Sequence, residues 1–279
     1  MTIRKNFQYW LRRLLLYLAL IVTSAIMLVP FYWSVTTSLK MEQFVFASPP
    51  QWWPNPATIQ HYLDIFVKYP FARFFTNSLV VSGAITLGNV FFDTLAAYAF
   101  AKLRFPGRDK IFFLLLMGLM VPFQVNLIPM YRMMSILKWL DTYLALIVPT
   151  LTSITGIFLL RQFMKSIPDE ILDSARIDGC SEFGVFGRII FPLSLPGIAT
   201  LVIITFMGAW NDFLWPRIVT SSQNIFTLPL GLVMLQTRYT SSQAQVMAGT
   251  VLVALPMILV FLLMQKQFIS GMTAGAVKG

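Results

Sequence analysis

The residues able to make or break bonds are few and scattered. One cysteine, Cys180, and one histidine, His61, occur in 279 residues. A single cysteine forms no internal disulfide, and one Cys with one His cannot complete a zinc site. No HExxH, GxSxG or GxxxxGK[ST] pattern is present. A metal or serine hydrolase is therefore not indicated, and the chain has no phosphate-cradling loop for ATP. The acids say more. Of eleven, five lie within 161–192 (Asp169, Glu170, Asp173, Asp178 and Glu182), and Asp93 and Asp212 interrupt apolar runs. An ionised Asp at mid-bilayer costs about 2.5–3.5 kcal/mol on insertion scales, so those two are expected to face a cavity or a hydrogen-bonding partner.

Two polar groups stand out as pathway candidates. Trp210, Asn211 and Asp212 offer donors and acceptors beside an aromatic face, the chemistry a sugar would use. Gln124 and Asn126 fall between Pro122 and Pro129, and prolines kink helices and free backbone carbonyls. The plainer alternative for both groups, and for Asp93, is hydrogen bonding between helices or to a partner chain. For Asp93 and Asp212 that alternative is preferred.

These residues have to be positioned by membrane helices. Hydrophobic residues make up 57% of the chain and charged residues 11%, with mean hydropathy +0.72. Soluble domains carry roughly 25% charge. Runs long enough to cross about 30 Å of hydrocarbon occur at 14–36, 74–101, 111–131, 142–160, 198–215 and 246–264. The stretch 218–237 also lacks acids but is rich in Thr, Ser, Gln and Asn, and is read as an external loop. With the N-terminus in the cytoplasm, fourteen Lys and Arg fall inside and seven outside. The positive-inside rule then puts both termini in the cytoplasm. The net charge of +10 is thereby explained by topology, and no nucleic-acid partner is implied. The first run is too long for a signal-peptide core and is read as a retained span. Trp52 and Trp53, in the proline-rich external segment, are read as interface anchors.

The segment 161–192 is more than a linker. Ser166, Pro168, Asp169 and Glu170 form a helix-start pattern. Gly179 suits a left-handed cap, and Ser181 can cap a second helix carrying Phe183, Phe186 and Ile190 on one face. Asp173-Ser174-Ala175, three residues, Gly179, nine residues, then Ile189-Ile190-Phe191-Pro192 resembles the EAA loop of ABC importer permeases, which reads Glu-Ala-Ala, three residues, Gly, nine residues, Ile-x-Leu-Pro. Ala175, Gly179, Ile189 and Pro192 match it. Asp173, Ser174 and Phe191 depart from it conservatively. Further stretches at 96–108, 176–183, 210–216 and 271–279 are similar to the sugar-type permeases of the maltose and multiple-sugar importers.

The resemblance implies an all-α membrane protein of six spans with the type I ABC importer permease fold and a cytoplasmic helix-Gly-helix coupling loop. It implies a multi-pass protein of the bacterial inner membrane in four parts: 1–36, 37–73 external, a permease domain 74–266 holding the loop 161–192, and a cytoplasmic tail 267–279. Such a chain is not an enzyme. It forms half of a carbohydrate pathway with a second homologous permease, two ATPase subunits that bind the ATP, and an extracytoplasmic solute-binding protein. Asp173, Ser174, Ala175, Asp178, Gly179, Ile189 and Pro192 would then couple to the ATPase. Other solutes, such as a glycerol phosphate, fit the same frame. An ion-driven transporter fits less well, lacking internal repeats and intramembrane ion pairs.

Overall fold

The computed structural model describes residues 2–237 and 242–274. Arg238 and Lys278, two of the Lys and Arg counted above, and the end of the stretch 271–279 lie outside them. The described residues are helical apart from loops and one isolated bridge, Lys40 with Ala57. The helices are α1 (Thr2–Ser38), α2 (Gln60–Lys68), α3 (Phe71–Lys102), α4 (Arg108–Met117), α5 (Phe123–Ile136), α6 (Tyr143–Ile147) and α7 (Ile154–Lys165). They continue with α8 (Asp169–Ile177), α9 (Glu182–Val185), α10 (Phe191–Leu193), α11 (Leu195–Asn211), α12 (Leu214–Val219), α13 (Leu228–Thr237) and α14 (Gln243–Ala274).

Among the described residues, four stretches are long and apolar enough to span a membrane: Tyr9–Ser38, Phe71–Lys102, Tyr143–Lys165 and Gln243–Leu263. Two bent helix pairs bring the number to six if each counts as one span. The expected third span is one of these. It turns by 98° between Arg108–Met120 and Phe123–Ile136, where Pro122 has no amide hydrogen to continue the ladder. The fourth span departs from α-helix over 148–153, between α6 and α7. The fifth, α11, stops at Asn211, so Asp212 is its C-cap and not an interior residue. The ten-residue α13 reaches only about 15 Å, half the hydrocarbon thickness. That agrees with reading 218–237 as non-spanning.

The chain divides into two compact units. In the unit formed by 1–69 and 234–254, Glu42 caps α14. Its Oε1 accepts from the Gln243 amide at 2.8 Å, and its Oε2 accepts from the Ala244 amide at 3.3 Å and from the Ser242 hydroxyl. Lys40 is buried with its ammonium 4.1 Å over the Trp33 ring. Trp52 packs edge-on against Trp33, while most of the Trp52 and Trp53 surface stays exposed. In the unit formed by 70–233 and 255–279, α3, α7 and α11 pack together. One buried cluster there holds Ala97, Tyr98, Leu160, Met164, Leu172, Val185, Ile190 and Leu201. A second, around Met134, Leu146 and Trp215, is pinned by the Trp215 indole donating to the Ala145 carbonyl at 2.8 Å.

Candidate functional site: an elbow and a polar cavity

The 161–192 segment folds as an elbow, and its hinge is set by local chemistry. Gly179 has φ +84°, a conformation that L side chains resist. The Cys180 amide donates to the Ala175 carbonyl at 3.0 Å and the Gly179 amide to the Arg176 carbonyl at 3.1 Å. This is a Schellman cap, which satisfies the last carbonyls of α8 and fixes the exit direction. Ser181 then caps α9 by accepting from the Gly184 amide. Ser166 does not cap α8 as expected. It ends α7, and its hydroxyl donates to the Phe163 carbonyl at 2.7 Å, so Pro168 is the residue preceding α8.

The elbow is fastened to the rest of its unit. Lys102 donates to Asp169 at 2.6 Å and to the Ile167 carbonyl at 2.5 Å. Arg176 bridges Asp173 and Glu182, each at 2.9 Å, and the Tyr98 hydroxyl donates to Glu182 at 2.5 Å. The Lys102 hydrogen bond holds the Asp169 carboxyl below the usual range. Arg176, followed by Tyr98, does the same for Glu182. Leu172, Ala175, Val185 and Ile190 turn into the core, with Ile189 packed beside them. Ile177 and Phe183 remain 85% and 83% exposed. Phe183 therefore does not share a face with Ile190 as the spacing suggested. A π turn over Phe186–Ile190 adds a residue to the repeat and rotates the two apart. Asp173, Ser174 and Asp178 are exposed, as is Pro192 at the far end. Asp173 is already engaged with Arg176 within its own helix.

The second feature is a cavity of about 590 Å³ beside the break in the fourth span. Asn89, Thr152, Ser153, Thr155, Thr205 and Asp212 supply its polar lining, and Phe123 an aromatic wall. Asp93 lies fully buried behind this wall. Its Oδ1 accepts from the Thr152 hydroxyl at 2.7 Å and the Ser153 amide at 3.0 Å, and its Oδ2 from the Ser153 hydroxyl at 3.0 Å. Ser153 is the N-cap of α7, so the carboxylate also meets the positive end of that helix. Gly156 makes this approach possible, because a Cβ there would collide with Asp93 and lie 2.7 Å from Leu201. One turn earlier, Asn89 donates to the Thr150 carbonyl at 2.7 Å. Asp93 is thus the structural hydrogen-bonding group that the sequence suggested.

Of the pathway candidates, Asp212 lines the cavity, and its Oδ1 accepts from the Trp215 amide at 3.3 Å. Trp210 is buried between Phe75 and Phe206, with ring centroids 5.7 and 5.6 Å away. Asn211 donates back to the Met207 carbonyl at 2.9 Å. Gln124 and Asn126 are exposed, and neither lines the cavity. Sequence reasoning overlooked Asn89, Thr152, Ser153, Thr155 and Thr205. The run of hydroxyls at 150–155, inside an otherwise apolar stretch, was the available signal.

The family described as "Binding-protein-dependent transport system inner membrane component" matches residues 93–273, which include the elbow and all of the cavity's lining apart from Ile85 and Asn89. The arabinooligosaccharides transport system permease protein AraQ of Bacillus subtilis (strain 168) is 41% identical over 207 residues, 74% of each chain. The sn-glycerol-3-phosphate transport system permease protein UgpE of Yersinia pestis is 36% identical over 264 residues, 92% of this chain and 94% of that one. A chain of a bacterial ABC transporter involved in the import of the acidic polysaccharide alginate shares the fold. Its TM-score is 0.84 at 20% identity, covering 91% of this chain and 95% of that one. The extent of the family match, the identity to full-length permeases and the common fold agree: this chain belongs to the binding-protein-dependent transport system inner membrane components.

Proposed function

We propose that the chain is a non-enzymatic permease subunit that imports a carbohydrate across the bacterial inner membrane, with both termini in the cytoplasm. A second permease would complete the pathway, two ATPase subunits would bind the ATP, and an extracytoplasmic binding protein would deliver the solute. The observation that carries this reading is the elbow. Its apolar core side is satisfied within the chain, yet Ile177 and Phe183 project almost fully exposed on either side of the Schellman hinge. Large apolar side chains beside a rigid turn fit a docking knob for a groove on another protein. Asp173, Ser174, Asp178 and Gly179 surround that knob, while Ala175, Ile189 and Pro192 set the helix positions behind it. Closure of the ATPases around ATP would move the elbow as a unit, because Lys102 and Tyr98 tie it to α3 and Arg176 braces its two helices against each other. Transport then follows from differential nucleotide binding to two states.

The similarity to glycerol-phosphate permeases spans more of this chain than that to the arabinooligosaccharide permeases. It supports an anionic solute as a second reading. Purification of the tagged chain from its native membrane, followed by identification of companions and uptake assays in proteoliposomes, tests both. Phe183→Glu should remove the ATPase from the preparation while the second permease stays. ATPase retention with normal uptake would end the coupling assignment.

A further inference from the structure

The cavity beside the broken fourth span has an uneven chemistry. Among the described residues its lining includes one carboxylate, Asp212, and several hydroxyls, and no Lys or Arg. Two of these hydroxyls are fixed by the buried carboxylate. Thr152 and Ser153 both donate their protons to Asp93, at 2.7 and 3.0 Å. The Thr152 oxygen is thereby left to the cavity as an acceptor. Ser153 also accepts from the Gly156 amide at 2.9 Å, which locks its orientation. Asp212 adds carboxylate oxygens, and a carboxylate only accepts. Thr150, Thr155, Thr205 and the Asn89 amide complete the polar surface, and the Phe123 ring shares the lining.

An acceptor-rich wall suits a ligand that brings donors. Sugar hydroxyls donate, and the C–H face of a sugar ring can lie on an aromatic ring. A phosphate ester is the reverse case, an anion whose oxygens mainly accept. Against Asp212, with Asp93 buried behind, it would meet like charge and no cation, an arrangement that opposes binding. The volume of about 590 Å³ lies within the range of small-molecule sites.

We infer that this cavity, where the hydroxyls oriented by Asp93 face Asp212 and Phe123, is a contact site for a neutral polyhydroxylated solute and disfavours phosphorylated ones. The inference rests on the carbohydrate-importer reading and makes it more specific. This subunit itself touches the solute, and its wall separates the two solute classes carried by its relatives. Asp93 acts as a positioning residue, reaching the solute only through Thr152 and Ser153.

The presence of a single cysteine makes a direct test available. In a Cys180→Ser background, Thr205→Cys and Thr155→Cys each place one thiol on the cavity wall. The variants are purified with their companion subunits in lipid nanodiscs and labelled with a small thiol reagent. Labelling rates are compared in a neutral pentose trisaccharide and in sn-glycerol 3-phosphate. The trisaccharide should slow labelling about tenfold at ten times its Kd, by mass action, with glycerol phosphate protecting at least about tenfold more weakly. Equal protection by the two solutes, protection by neither, or no labelling at either position would each overturn the inference. Uptake by the unmodified complex separates this from the broader reading. Trisaccharide uptake without protection sinks only the cavity assignment, whereas uptake of glycerol phosphate and not of sugar sinks the carbohydrate reading itself.

Discussion

Gly179 offers a test in which strain and packing rank Asn and Ala oppositely. Its φ is +84°, and a Cβ built there would meet nothing within 4 Å. A substitution at this position therefore brings no clash, and its cost comes from the left-handed backbone alone. For an L residue that cost is roughly 1–2 kcal/mol, a factor of about 5–30 in the population of the correctly angled elbow. Asn tolerates the left-handed region far better than Ala or a β-branched residue. The expected order of coupling is Gly, then Asn, then Ala, then Val, although Asn is larger than Ala. The assay is retention of the ATPase on the tagged permease, read together with solute uptake in proteoliposomes. Recovery of the second permease reports that each variant is inserted and assembled. A loss that follows side-chain volume, with Asn worse than Ala, would refute the reasoning, since the limiting factor would then be space in the partner's groove. Wild-type behaviour of Gly179→Val would show that the elbow angle carries no coupling.

Three further outcomes follow from the same structure. Asp93→Ala should lower stability by about 1–3 kcal/mol, the cost of leaving buried donors without their acceptor, while Asp93→Asn should lose less because its oxygen can still accept from Thr152 and the Ser153 amide. Thermal unfolding in detergent, followed by size-exclusion fluorescence, should rank wild type above Asn above Ala, and an Ala variant as stable as wild type would contradict it. The folded-state carboxyls of Asp169 and Glu182 are depressed by Lys102 and Arg176 respectively, so their ties hold at neutral pH and down to the ordinary carboxylate range, about 4, and are lost as pH falls through the depressed values. Protection factors for hydrogen exchange in α8 and α9, taken relative to the intrinsic exchange rate at each pH, should therefore stay constant from about pH 8 to 5, and loosening near pH 6 would mean that a different group titrates. Reporter fusions after Pro50 should report an external location and fusions after Gly179 a cytoplasmic one; the reverse pattern would invert the topology drawn from the distribution of Lys and Arg.

Features governed by near neighbours in the chain were legible from sequence. Hydropathy runs indicated the spans, because a helix in lipid must satisfy its own backbone and show apolar side chains outward. The hinge at Gly179 and the Ser181 cap were readable because each depends on hydrogen bonds within a few residues. Where competing local options existed, reading failed. Ser166 could cap α8 or end α7, and the packing of α7 chose the second. The π turn at Phe186–Ile190 was invisible for the same reason, since a one-residue change in helical repeat leaves no mark on composition. The cavity was decided by tertiary structure alone. Asp93 and Thr152 stand 59 positions apart, and Asn89 and Thr150 stand 61 apart. Their meeting requires α3 to lie against the break in the fourth span, with Gly156 admitting the carboxylate. An isolated Asp in an apolar run announces only that it needs a partner. Which hydroxyls answer, and which way their protons then point, is settled when the helices pack.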